Sequence, residues 1–191
     1  MATRELHPMI AAAAGGRLPD WSRVSQRRLP HLESVSQLLQ RWAETLALDE
    51  VDRARWAAAG WLHDALRDAP PEQLIGEAGD YPSAVRHGPA AAALLRRDGV
   101  EDEELLEAIT FHSLGCGGFR RLGRFLFLAD YLEPKRRYAP VENAVLRARL
   151  PEGERAVLRV ACARRIVQRL ERDKSLRQET VDFWNELTAD T

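Results

Sequence analysis

Residues 29–68 read LPHLESVSQLLQRWAETLALDEVDRARWAAAGWLHDALRD. Leu32, Val35, Leu39, Trp42 and Leu46 recur at steps of three and four, and so do Val51, Ala54, Ala58, Trp61 and Ala65. That is one face of a 3.6-residue period, and it predicts two packed helices over 31–48 and 51–66. The pattern continues outward. Pro70 and Pro71 punctuate a variable stretch to Arg86 with a short helix at 71–78, and Gly88-Pro89 leads into a third core helix over 90–97. Asp102, Glu103 and Glu104 place negative charge at the start of a fourth, whose Leu105, Ile109 and His112 share a face and which Gly115, Gly117 and Gly118 end. Leu122, Phe125, Leu126 and Ala129 mark a helix to Leu132 that Pro134 stops, followed by a basic, proline-containing loop. Residues 153–172 and the segment around Val181, Trp184 and Leu187 read as C-terminal helices, and residues 3–14 and 20–28 as two small N-terminal ones. No window alternates apolar and polar residues with β-branched enrichment, and no repeat of fixed period is present. The expected fold class is all-α, a helical bundle that carries its site in the core on facing helices.

The 191 residues are one domain's worth, with a core at about 20–135 and C-terminal helices at 141–191. Apolar residues make up 45% and the formal net charge is -1, which argues against disorder and against a nucleic-acid grip driven by overall charge. No apolar run approaches the length of a membrane span, so no membrane partner and a cytoplasmic location are expected. Cys116 and Cys162 are too few for a disulfide framework, and Cys116 has no histidine to partner it as a nucleophile. Exposed Trp or Leu on the terminal helices could support a homodimer.

The five histidines carry the functional signal. His31 opens the first long helix, His63 with Asp64 closes the second, His87 opens the third and His112 closes the fourth. Asp130 lies inside the apolar stretch FRRLGRFLFLADYLEP, where an unpaired carboxylate would be costly, and Arg124 or Lys135 could pair with it. His7 falls outside this pattern and is expected to be exposed. Taken singly, each histidine reads as a cap or a hydrogen-bonded core residue. Six candidate ligands in the order His, His-Asp, His, His, Asp on five helical segments read as a metal centre. Four imidazoles and two carboxylates suit Fe, Mn, Zn or Co better than Mg or Cu(I). They exceed the needs of one ion, and a carboxylate directly after a histidine, Asp64, is a natural bridge between two.

The blocks LPHLESV, GWLHDALRD, RHGPAAAALL, LEAITFHSLG and FLADYLEP together resemble the HD-domain metal-dependent phosphohydrolases. Within them the chain is most similar to the YqeK-like family of symmetrical diadenosine tetraphosphate hydrolases. The resemblance implies a dinuclear centre, iron by expectation with Mn, Co or Zn as alternatives. His31, His63, Asp64 and Asp130 would hold one ion, and His87 and His112 the other, with Asp64 shared. It implies a metal-bridging hydroxide as the nucleophile and two ADP as products. The substrate is thus expected to be a dinucleoside polyphosphate. Arg67 stands where the family usually has Lys and joins Asp64 as a catalytic candidate. Arg27, Arg67, Ser113, Gly115, Lys135 and Arg136 are the candidate substrate contacts, with Arg28 and Arg137 beside them. The chain departs from the pattern at His112-Ser113-Leu114-Gly115, where the family has His-Thr-Thr-Gly, at Glu133-Pro134-Lys135-Arg136, and in a short 68–86 connection. An HD hydrolase of another nucleotide, or a nucleotide-binding regulator without turnover, are the other readings.

Overall fold

The computed structural model describes residues 5–136 and 138–189. Arg137 lies outside them, as do residues 1–4, into which the expected 3–14 helix extends. Among the described residues the chain forms ten α-helices: α1 (Pro8–Ala14), α2 (Leu29–Thr45), α3 (Glu50–Leu62), α4 (Ile75–Ala78), α5 (His87–Arg97), α6 (Glu103–Phe111), α7 (Arg121–Leu132), α8 (Pro140–Arg147), α9 (Glu154–Leu170) and α10 (Gln178–Thr188). There is no strand among them, and none of the helices is long and apolar enough to cross a membrane.

Local chemistry sets the starts. Asp49 caps α3 by accepting from the Asp52 N–H at 2.8 Å, and Asp102 caps α6 by accepting from the Leu105 N–H at 3.1 Å. Acidic residues fill both first turns, where the helix dipole favours them. The short 46–49 connection returns α3 against α2, and α7 runs through the middle of the bundle in contact with α2, α3, α6, α8 and α9. From Leu122 to Leu132 every residue of α7 except Arg124 is buried, as a central helix requires. Phe125 sits between Trp42 and Trp56, with ring centroids 5.5 and 5.0 Å away, and one apolar core extends from Ile10 to Leu187.

The structure corrects four expectations. Residues 20–28 form turns rather than a helix, because the segment is held by backbone bonds to the turn after α3: Arg23 N–H to Ala65 O at 2.7 Å and Asp68 N–H to Arg23 O at 3.1 Å. In α3 the buried residues are Arg55–Gly60 and Leu62, whereas Val51, Ala54 and Trp61 are only half-buried. His7 is a half-buried cap of α1, accepting from the Met9 N–H at Nδ1. On the terminal helices Trp184 packs against the core while Leu170 is exposed.

Arg55, 4% exposed at its side chain, ties α3 to the start of α6. It reaches Asp52 at 2.5 Å, Asp102 at 2.5 and 2.8 Å and Glu104 at 3.1 Å. Replacing it removes one ion-pair partner from each of three acids whose side chains are 20–28% exposed and can recover water. Arg55→Ala should therefore cost about 2 kcal/mol, below the range for a fully buried pair, and lower Tm by roughly 4–8 °C in a calorimetric scan.

Candidate metal centre

Helix ends deliver the site. His31 lies in the first turn of α2, His63 and Asp64 follow the last turn of α3, His87 begins α5, His112 follows α6, and Asp130 faces inward from α7. The approach of α5 to α6 depends on Gly88. A Cβ there would lie 2.8 Å from the carbonyl oxygens of Ile109 and Thr110, so only glycine lets His87 settle against His112.

The six side chains converge. Asp64 turns Oδ1 toward His87 Nε2 at 3.0 Å and His112 Nε2 at 3.5 Å. Its Oδ2 lies 3.9 Å from the Nε2 of both His31 and His63. Asp130 Oδ1 completes the second group, 3.3 Å from His31 Nε2 and 3.9 Å from His63 Nε2. The far nitrogens fix the rings: His63 Nδ1 bonds Gly60 O at 2.9 Å, His112 Nδ1 bonds Ile109 O at 2.8 Å, and His31 Nδ1 stands 3.5 Å from buried Glu133. At His63 and His112 the carbonyl acceptors settle the tautomer, with the proton on Nδ1 and the Nε2 lone pair facing inward.

Two observations test whether this donor set fits metal. His63 Nε2 is buried with no hydrogen-bond partner among the described residues, which is costly unless something else satisfies it. The Nε2 atoms of His87 and His112 lie 3.1 Å apart, a hydrogen-bond contact here and a spacing also compatible with both ligating one ion through bonds of about 2.0–2.1 Å. His31, His63 and Asp130 form one cluster able to hold a metal ion, and His63, Asp64 and His112 another. The residues fit.

Protonation agrees. Burial lowers the pKa of His63 to about 3 and depresses that of His87, keeping both neutral, the form that binds metal. Burial also disfavours a charged His31, but Asp130 and Glu133 outweigh it and raise its pKa to about 9. Burial alone would push both aspartates up. The imidazoles of His63, His112 and His87 instead hold Asp64 well below the usual carboxylate range, and Arg136, His31 and Arg165 do the same for Asp130.

Arginines complete the balance. Arg28 donates to Asp64 Oδ2 at 3.2 Å and grips Asp68, whose other oxygen accepts from the Ser25 N–H. Asp130 pairs with Arg136 at Oδ1 and with Arg165 at Oδ2, 2.8 Å away. Neither Arg124, which bonds Glu154 and Phe119 O, nor Lys135, which bonds Pro30 O, is its partner. Arg165 is a residue of the site that the sequence reading misses, since residues 153–172 read there only as a C-terminal helix. The available signal is its register. Leu158, Ala161 and Cys162 form the buried stripe of α9, and Arg165 continues that stripe.

A cleft of about 970 Å³ opens over the centre. Arg27, Arg67, Lys135 and Arg136 all line it, and the Ser113 hydroxyl lies 3.0 Å from His112 Nε2. Arg67 also donates to Ala84 O at 3.3 Å. Gly115 does not join them. It is buried and its N–H bonds Phe111 O at 2.8 Å, closing the end of α6, so no N–H is left for a phosphate. Cys116 stays a thiol, its pKa raised by burial and nearby carboxylates.

Comparison with known proteins agrees with this geometry. Residues 28–135, more than half of the chain, match the HD domain family, and the match contains all six converging side chains. A protein of Halalkalibacterium halodurans named "Bis(5'-nucleosyl)-tetraphosphatase, symmetrical" is 33% identical over 58% of this chain and 57% of its own length. The Bacillus subtilis protein of the same name is 35% identical over 63% and 68%. The chain thus spans between half and about two thirds of these relatives. A crystal structure described as a predicted HD superfamily hydrolase involved in NAD metabolism, from Clostridium acetobutylicum, superposes with a TM-score of 0.75 at 25% identity, covering 93% of this chain and 94% of that one. On the family match and on helices that bring His, His-Asp, His, His and Asp to one point, the chain belongs to the HD domain family.

Proposed function

We propose that this protein is a metal-dependent phosphohydrolase that splits diadenosine tetraphosphate symmetrically, with water, into two ADP. One observation carries the reading: Asp64 divides its two oxygens between two groups of imidazoles at the floor of a cleft walled by cations. A carboxylate so placed would bridge two ions if both groups were occupied. We assign His31, His63, Asp64 and Asp130 to one ion and His87 and His112 to the other, with Asp64 shared. The imidazole and carboxylate donors, with no thiolate among them, suit iron, manganese, cobalt or zinc. Bound there, such ions acidify water and neutralise phosphate oxygens.

The remaining work belongs to the chain. Carbonyls of Gly60 and Ile109 and the carboxylate of Glu133 hold three rings in the ligating orientation. Arg136 and Arg165 balance the charge of Asp130, and Arg28 that of Asp64, so that the buried carboxylates stay ionised. Arg27, Arg67 and Lys135 on the cleft wall offset the negative charges of a polyphosphate chain, and the Ser113 hydroxyl stands ready to donate to a phosphate oxygen beside His112. The symmetrical-hydrolase names of the relatives support cleavage at the middle of the chain.

Chromatography of the products from diadenosine tetraphosphate and iron- or manganese-loaded protein tests this. ADP alone is the expected product. AMP with ATP would show asymmetric cleavage, and release of inorganic phosphate from nucleotides would point to a different substrate; either contradicts the proposal.

A further inference from the structure

The first part of the chain supplies all six converging side chains, yet half of the cleft's basic lining comes from the C-terminal region. Arg165, on α9, anchors that region to the centre. It donates to Asp130 Oδ2 and to Ser113 O, each at 2.8 Å, with its guanidinium 4.5 Å from the Phe127 ring centroid. Gln168, Arg169 and Arg172 follow three, four and seven residues later, the spacing of one helical face, and all three line the cleft, as does Lys174. The backbone keeps a turn past the end of α9, with Arg172 N–H bonded to Arg169 O. At 1.5 Å per residue this face leads about 10 Å away from the centre.

These cations are not spent on acids. Arg28, Arg136 and Arg165 are committed to Asp64, Asp68 and Asp130, and Arg177 to Glu179. Among the described residues Arg169, Arg172 and Lys174 have no carboxylate partner, and Arg169 makes its two bonds to Ser175 O. Glu171 and Asp173, which alternate with them in sequence, do not line the cleft. Helix-end cations commonly do no more than complement the helix dipole. Here they share one cavity with the metal centre, and Arg165 fixes their distance from it.

We infer that the segment from Arg169, in the last turn of α9, through Lys174 beyond its end is a binding track for one diphosphate arm of the substrate, so that this segment selects for a long polyphosphate chain. Planar guanidinium forks suit successive phosphate oxygens. The inference rests on the proposed function for the identity of the arm, and its test separates the two. Metal-loaded wild type, R169A/R172A and R159A are titrated with ADP, the arm itself. Arg159 is exposed on the same helix and does not line the cleft, so it controls for loss of charge alone. R172E/K174E leaves the Arg169–Ser175 contact intact and guards against a folding defect in the first variant.

ADP dissociation constants about tenfold or more above wild type are expected for both double variants, the loss of two charge-assisted contacts, with R159A unchanged. The KM for diadenosine tetraphosphate should rise in parallel while kcat stays near wild type. ADP isotherms superimposable on wild type in both double variants would overturn the track. Wild type that binds ADP through this face but leaves the tetraphosphate intact would sink the proposed reaction and leave the track standing.

Discussion

Asp64→Ala is expected to abolish turnover and to empty the centre at the same time. The two effects should coincide because one carboxylate serves both halves: Oδ1 faces His87 and His112, and Oδ2 faces His31, His63 and the Arg28 guanidinium. Without it, four imidazoles and Arg28 surround a space from which one of two anions has been removed. Loss of an outer-shell partner already costs about 10–100-fold in metal affinity or activity, and a ligand shared by two ions should exceed that range. Asp64→Asn should behave alike, since an amide keeps the volume but has one oxygen and no charge. Asp64 lies beyond the last turn of α3, so the helical circular dichroism should stay at the wild-type level. Metal content by atomic absorption and product formation by chromatography are the readouts. A variant that keeps both metals, or keeps its rate, would remove Asp64 from the bridging position.

Gly60→Ala should be the most damaging small substitution outside the ligand set. Its Cβ would lie 2.4 Å from Ser36 Cα and 2.6 Å from Ser36 N, which are backbone atoms of α2 that cannot rotate away. Relief requires parting α2 from α3, where the Ser36 hydroxyl also donates to Ala57 O at 2.9 Å. Alanine gains about 1 kcal/mol over glycine in helix propensity, but overpacking of this severity costs about 3 kcal/mol or more. A net loss of about 2–3 kcal/mol would lower Tm by roughly 4–12 °C in a chain of this length. The lesion reaches the centre as well, since α2 carries His31, α3 leads to His63, and Gly60 O holds His63 Nδ1. Reduced metal occupancy should therefore accompany the lower melting temperature, and a variant with wild-type stability would show that the two helices are not locked at this point.

The sequence exposes the metal centre more readily than its surroundings. His31, His63, His87 and His112 stand at helix ends, and helix ends are legible from Pro30, Gly88-Pro89 and the acidic start of α6. Periodicity fails where composition hides it. WAAAGWL in α3 is apolar all round, so Trp61 could be assigned to the core although Trp56 holds that place. Residues 20–28 have helix-compatible composition, and only their tertiary partners, Ala65 O and the Asp68 carboxylate, draw them out of a helix. That same contact fixes Arg28 on Asp64, which no local pattern could reveal. Arg165 lies 35 residues beyond Asp130 among many arginines, and its role depends on how α9 packs against α7. Gly115 shows the opposite error: a glycine after a ligand histidine suggests a phosphate loop, yet its N–H only closes the end of α6.

Side chains from five segments of the chain are proposed to cage two cations on either side of Asp64. Anomalous diffraction at the iron or manganese edge from crystals of metal-loaded protein tests this proposal most directly. Two peaks are expected, one among His31, His63 and Asp130 and the other at His87 and His112, with an Asp64 oxygen turned to each. A single peak, or metal bound away from Asp64, would contradict it.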